Sequence, residues 1–123
     1  MMRFSIVVVA LAVLLAPGLH AQDERIYNAN DDGVSLPQVV KQVRPQYTSE
    51  AMHQMIEGEA LLDVVVKSDG KVGDVSVKES LDAVYGLDQE AIKAVKQWEF
   101  KPGTKDGKAV NVRVEVKMRF TLR

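Results

Sequence analysis

The sequence predicts an α+β domain: a three-stranded antiparallel sheet in the order 2-1-3, with two helices packed on one face. Three observations carry this. Two segments rich in β-branched residues flank Asp69-Gly70. Two other stretches place apolar residues at helical spacing. From Val110 to Leu122, apolar and polar residues alternate strictly, the pattern of a long strand with one buried face.

Taken in order, Ser49 to Met55 reads as a short helix capped by Thr48 or Ser49. Ala51, Met52, Met55 and Ile56 form its apolar stripe, and Gly58 ends it. Ala60 to Ser68 is the first strand, with Leu62, Val64 and Val66 on one face and Asp63 and Lys67 on the other. Asp69-Gly70 supplies the positive φ that a tight hairpin needs. Val72 to Glu79 returns, with Val75 and Val77 inward. Asp88 is placed to cap a second helix, in which Leu87, Ala91, Ile92, Val95 and Trp98 share a side and Lys93, Lys96 and Gln97 point outward. Pro102-Gly103 and Asp106-Gly107 punctuate a loop. The final strand then falls at a sheet edge, where another chain can add a strand.

The first 21 residues read as an address. Arg3 gives a positive start, Phe4 to Leu15 are apolar except for Ser5, and Ala16-Pro17-Gly18 breaks the run before Ala21. This is the order of a secretory signal peptide. The apolar run is shorter than the roughly 18 residues that a membrane-spanning helix requires. Cleavage after Ala21 is expected, leaving an exported mature chain that begins at Gln22. The alternative keeps the segment as an inner-membrane anchor, with the rest facing the periplasm. Residues 22–36, with Asp23, Glu24, Asp31 and Asp32, read as a flexible acidic tail. Residues 37–123 form the domain.

Composition removes several function classes. The chain of 123 residues has 16 Lys and Arg against 17 Asp and Glu, a net charge of −1, which is not the balance of a nucleic-acid binder. With no cysteine there is no disulfide, thiolate metal site or cysteine nucleophile. Of two histidines, His20 lies in the leader, and His53 reads as a solvated surface residue. Neither a nucleophile–base pair nor a metal or cofactor site can be assembled, so the expectation is a non-enzymatic protein. Arg113, Lys117, Arg119 and Arg123 lie on one strand face opposed only by Glu115, a surface suited either to solvent or to an acidic partner.

From Arg44 onward the residues resemble a known family. Arg44-Pro45-Gln46-Tyr47 resembles the Q-P-x-Y-P motif of the TonB C-terminal domain, with Arg44 at the first Gln and Thr48 at the last Pro. Ile56-Glu57-Gly58, Asp69-Gly70-Lys71-Val72, Gly86-Leu87-Asp88 and Ala91 follow in order. Trp98-Glu99-Phe100-Lys101-Pro102 then matches the W-x-F/Y-x-P motif. The resemblance implies a periplasmic, non-enzymatic domain of Gram-negative bacteria. Such a domain binds the TonB box of an outer-membrane transporter by strand addition along its last strand. Carried over, the pairing edge lies within Val110 to Phe120, at Val110, Val112, Arg113, Val114, Glu115, Val116 and Lys117. Arg44, Pro45, Gln46 and Tyr47 lie near the incoming peptide. An anchored transducer of the family also engages ExbB and ExbD for siderophore or cobalamin uptake, across a proline-rich spacer. This chain has four prolines and no run of them, so the resemblance supports the domain more than energy coupling. Self-association through the long strand, as a homodimer, is a further expectation.

Overall fold

The structure, a computed structural model, describes residues 25–122. The predicted signal peptide, the first residues of the tail and Arg123 lie outside the described residues.

The central sheet forms around β4 (Gly58–Val66). On one side β4 pairs antiparallel with β5 (Val72–Glu79), and on the other with β9 (Asn111–Phe120), in register from Gly58↔Phe120 to Val66↔Val112. These three strands take the predicted 2-1-3 order. A fourth strand, β1 (Ile26–Asn28), adds to the far side of β9 in parallel, from Ile26↔Asn111 to Asn28↔Arg113. The sheet is thus four-stranded and mixed, in the order β1-β9-β4-β5, rather than three-stranded and antiparallel. The expected tail also holds β2 (Val34–Ser35). Acidic composition hides such strands, because an edge strand is held by backbone groups that carry no composition signal.

Alternation decides which face is buried. Ala60, Leu62, Val64 and Val66 of β4 and Val112, Val116, Met118 and Phe120 of β9 face the helices and make the core. The helix α1 (Ser49–His53) contributes Ala51, and α2 (Leu87–Val95) contributes Leu87, Ala91, Ala94 and Val95. The small alanines let both helices lie close over one face, as predicted.

The helix ends differ from expectation in instructive ways. Thr48 caps α1, its hydroxyl accepting the Ala51 N–H at 3.1 Å. The helix stops at His53 and the chain turns at Met55, with φ of 57°, so Gly58 opens β4 instead of ending the helix. Met55 is therefore 74% exposed, and the predicted stripe reduces to Ala51 and Ile56. Asp88 does not cap α2. Gly86, at φ of 99°, stands at the cap position without a side chain to offer. The missing acceptor comes from Asp82, whose carboxylate takes the N–H groups of Leu87 at 3.1 Å, Val84 at 3.0 Å and Tyr85 at 2.8 Å. Asp88 reaches backwards, accepting from Leu81 and Asp82 N–H, both at 3.0 Å, and from the Ser80 hydroxyl. Burial pushes the Asp82 pKa up, but its three N–H partners outweigh this and hold it below the ordinary value.

A second layer closes the core's open end. β3 (Gln38–Lys41) pairs antiparallel with β6 (Glu99–Lys101), and β2 pairs with β7 (Thr104–Lys105), which pairs with β8 (Lys108–Ala109). Trp98 and Phe100 bracket Glu99 and point into the core, and the Trp98 indole N–H donates to the Val43 carbonyl at 2.9 Å. Gly70, at φ of 86°, turns the β4–β5 hairpin and receives β6 closely: Phe100 N–H donates to its carbonyl at 2.8 Å, and a Cβ at this position would overlap the Phe100 carbonyl.

Candidate partner-binding edge

The edge of β9 is set by backbone direction. Asn28 donates its N–H to Asp31 Oδ2 at 2.8 Å and accepts the Asp31 N–H at 3.0 Å, so both of its backbone groups turn away from β9. Successive residues of a strand point their backbone groups to opposite sides, which turns those of Tyr27 toward β9, at Asn111 and Arg113. Along β9 the same alternation turns Glu115, Lys117 and Arg119 outward, while Val112, Val114 and Val116 bond to β4. Beyond Arg113 no strand pairs with this side of β9 among the described residues. The expected edge is therefore covered by the chain itself over Asn111–Arg113 and open from Glu115 onward.

Side chains sort by the same rule. Val110 and Val112 are buried and belong to the interior rather than to a contact surface, and the Val110 N–H is spent on Gly103 O at 3.0 Å. Val114 and Val116 line a shallow cavity of about 370 Å³ with Leu36, Pro37, Val39, Trp98 and Phe100. Arg113, Glu115 and Lys117 are exposed on the helix-free face.

The motif segment reaches the other end of the strand. Arg44, Pro45 and Tyr47 line a cavity of about 340 Å³ with Arg119, Phe120 and Thr121, and exposed Gln46 is not part of it. The Tyr47 hydroxyl donates to the Ile56 carbonyl. Burial, with the Glu57 carboxylate behind it, raises the Tyr47 pKa, so the phenol keeps its proton. The structure thus brings Arg44, Pro45 and Tyr47 to residues 119–121, and not to 110–117.

On the cationic face, Arg119 and Glu115 are each paired within the chain. Arg119 donates to Glu59 Oε2 at 2.6 Å, and this bond holds the Glu59 pKa below its ordinary value. Lys78 pairs with Glu115, and that bond raises the Lys78 pKa. Lys78 also sets a positive charge near Asp63, which lies directly opposite Glu115 across β4 and β9. No group of His, Asp and Glu suited to a metal occurs among the described residues, and no described helix is long and apolar enough to cross a membrane.

Sequence reasoning missed β1 and the exposed apolar residues Leu36 and Val39 beside the open edge. The signal for β1 was the pair Ile26-Tyr27, set in an otherwise polar stretch.

Residues 43–122 match the family described as Gram-negative bacterial TonB protein C-terminal. The chain belongs to the TonB C-terminal family. It is 34% identical over 87 residues to protein TonB of Vibrio cholerae, covering 68% of this chain and 34% of that protein. It is 38% identical over 78 residues to protein tonB2 of Pseudomonas aeruginosa, covering 63% of this chain and 28% of that protein. The solution NMR structure of the Pseudomonas aeruginosa TonB C-terminal domain superposes with a TM-score of 0.52 at 26% identity, covering 78% of this chain and 95% of that one. The chain spans about a third of the length of the curated relatives it matches. In this TonB C-terminal domain, the two family motifs have separate tasks. The Arg44–Tyr47 motif is fastened to the end of β9, and the Trp98–Pro102 motif carries β6 across the opening of the core.

Proposed function

We propose that this TonB C-terminal domain is a periplasmic, non-enzymatic peptide-binding module. It takes up an extended segment of an outer-membrane transporter by strand addition to β9. The observation that carries the reading is the run of outward backbone groups at Glu115, Lys117 and Arg119, bordered by the apolar groove of Leu36, Val39 and Val116. An added strand satisfies those backbone groups, and the groove takes alternate apolar side chains. The Arg44–Tyr47 cavity sits where the added strand would run off the end of β9.

The test is titration of the mature chain with synthetic TonB-box peptides from the host's outer-membrane transporters, followed by NMR. Shifts along residues 115–121 that disappear in Lys117→Pro support strand addition. No binding by any peptide, or equal binding by a folded Lys117→Pro variant, overturns it.

A second reading is an inner-membrane-anchored energy transducer working with ExbB and ExbD. That the proteins sharing this domain are named TonB and tonB2 favours it, over the third of their length that the chain matches. Intact mass from fractionated cells separates the two. A species starting at Gln22 in the soluble periplasm supports the diffusible module, and a full-length species in the inner membrane supports the transducer.

A further inference from the structure

We propose that β1 is an internal plug: the chain's own Ile26–Asn28 occupies the first part of the partner-binding edge until an incoming strand displaces it. This rests on the strand-addition reading above.

The plug is short. Its ladder to β9 spans only the pairings from Ile26↔Asn111 to Asn28↔Arg113 before Asn28 turns its own backbone groups to Asp31, and an Asn111 side-chain N–H donated to Arg25 O at 3.4 Å adds to it. Ile26 is 38% exposed, and neither Ile26 nor Tyr27 belongs to the core cluster. The Arg25 guanidinium lies 5.5 Å from the Tyr27 ring centre at the surface. A strand with few ladder bonds and little buried apolar area opens at the low end of a protein's local stabilities.

Opening leaves the site ready. β9 stays paired with β4 from Gly58↔Phe120 to Val66↔Val112, so its edge persists without β1. The chain beyond stays fixed by Val34↔Lys105 and Ser35↔Thr104, with Lys105 Nζ donating to Asp32 O. Between them lies a turn containing Gly33 at φ of 77°, so β1 swings out from a held base.

Occupation has a consequence for the partner. The turn at Asn28–Asp31 stands beside Arg113, Val114 and Glu115 and borders a cavity of about 800 Å³ with them. A strand laid along β9 from Arg119 meets this turn near Glu115. With β1 in place the partner reaches the outward groups of Glu115, Lys117 and Arg119. With β1 released it also gains those of Asn111 and Arg113.

The experiment compares the full mature chain with Tyr27→Pro, which removes the ladder N–H without touching the core. Amide exchange at Arg113 reports release of β1, and a thermal melt reports the fold. Release of β1 adds the outward groups of Asn111 and Arg113 to those already open, so Tyr27→Pro is expected to bind transporter peptides about tenfold more tightly. Asp31→Ala, which loosens the turn on Asn28, is expected to move affinity the same way by less, and it serves if Tyr27→Pro does not fold. Equal affinity within roughly twofold, with β1 shown to be released, overturns the plug. If no transporter peptide binds either form, the strand-addition partner is wrong. A synthetic peptide of this chain's residues 22–31 then decides the plug alone. Shifts at residues 111–117 of Tyr27→Pro, absent in the intact chain, support it, and no shifts in either form overturn it.

Discussion

The Tyr47 ring meets Phe120 edge-on, with ring centres 5.5 Å apart and planes at 81°. This contact, with the hydroxyl bond to Ile56 O, fastens the first family motif to the last residue of β9. Tyr47→Phe keeps the ring contact and loses the hydroxyl bond, an expected cost of about 1 kcal/mol. Tyr47→Ala loses both and is expected to cost about 2 kcal/mol, since the site is only half-buried. Urea midpoints with an unchanged slope check both values.

Gly70→Ala should be among the most destabilising small substitutions in the chain. Its φ of 86° disfavours any side chain, and the new Cβ meets the Phe100 carbonyl. The β4–β5 hairpin and β6 cannot both keep their places. A loss of about 2–4 kcal/mol is expected, from positive-φ strain plus displacement of backbone. The contrast is Gly107→Ala, which has positive φ but open space around it and should cost only about 1 kcal/mol. Equal melting temperatures for the two variants would contradict the account.

Asp82 gives the fold a defined acid sensitivity. Its folded-state pKa is lowered, so its contribution is fully present above the unfolded carboxylate pKa, near 3.9, and is lost as pH falls through the lower folded value. Asp82→Asn removes the titration but keeps an acceptor. The stability gap between the wild type and Asp82→Asn should therefore be constant from pH 7 to about pH 5 and narrow below about pH 4. Urea midpoints along that pH series measure it. A gap that widens on acidification would reverse the sign of the argument.

Proline distinguishes the two sides of β9. The Val114 N–H faces β4, so Val114→Pro removes an interior ladder bond and should cost about 3 kcal/mol or more. The Lys117 N–H faces outward, where proline is tolerated on an edge, so Lys117→Pro should lose clearly less. Chemical denaturation of the two variants tests the assignment of inward and outward residues directly.

How much of this was legible depended on what kind of signal each element leaves. The β4–β5 hairpin, α2 and β9 declare themselves through alternation, helical spacing and Asp69-Gly70, because side-chain burial made them. The 2-1-3 order followed from the long alternating strand. The fourth strand did not, because Ile26–Asn28 is held by backbone pairing to β9 and a turn at Asp31, and neither needs an apolar pattern. The α2 cap was misplaced for a related reason. Asp88 stands where a cap looks natural, but the loop from Ser80 to Gly86 folds back and delivers Asp82 from five residues before Leu87. At the site, the motif residues were found, but their destination was not. That Tyr47 belongs with Phe120 rather than with Val112 is a fact of sheet register, fixed only when Gly58 pairs with Phe120.

Trp98 is the chain's single tryptophan. It sits where β6 leaves α2, bonded to Val43 and lining the groove beside Val116 and Lys117. Its emission therefore watches one place: the seam between the leading segment and the strand edge. A ligand laid against Val116 dries the indole and shifts its light to shorter wavelength, whereas loss of the Val43 contact lets water in and shifts it the other way. The indole is thus an intrinsic probe for the proposed strand addition, readable in unlabelled protein.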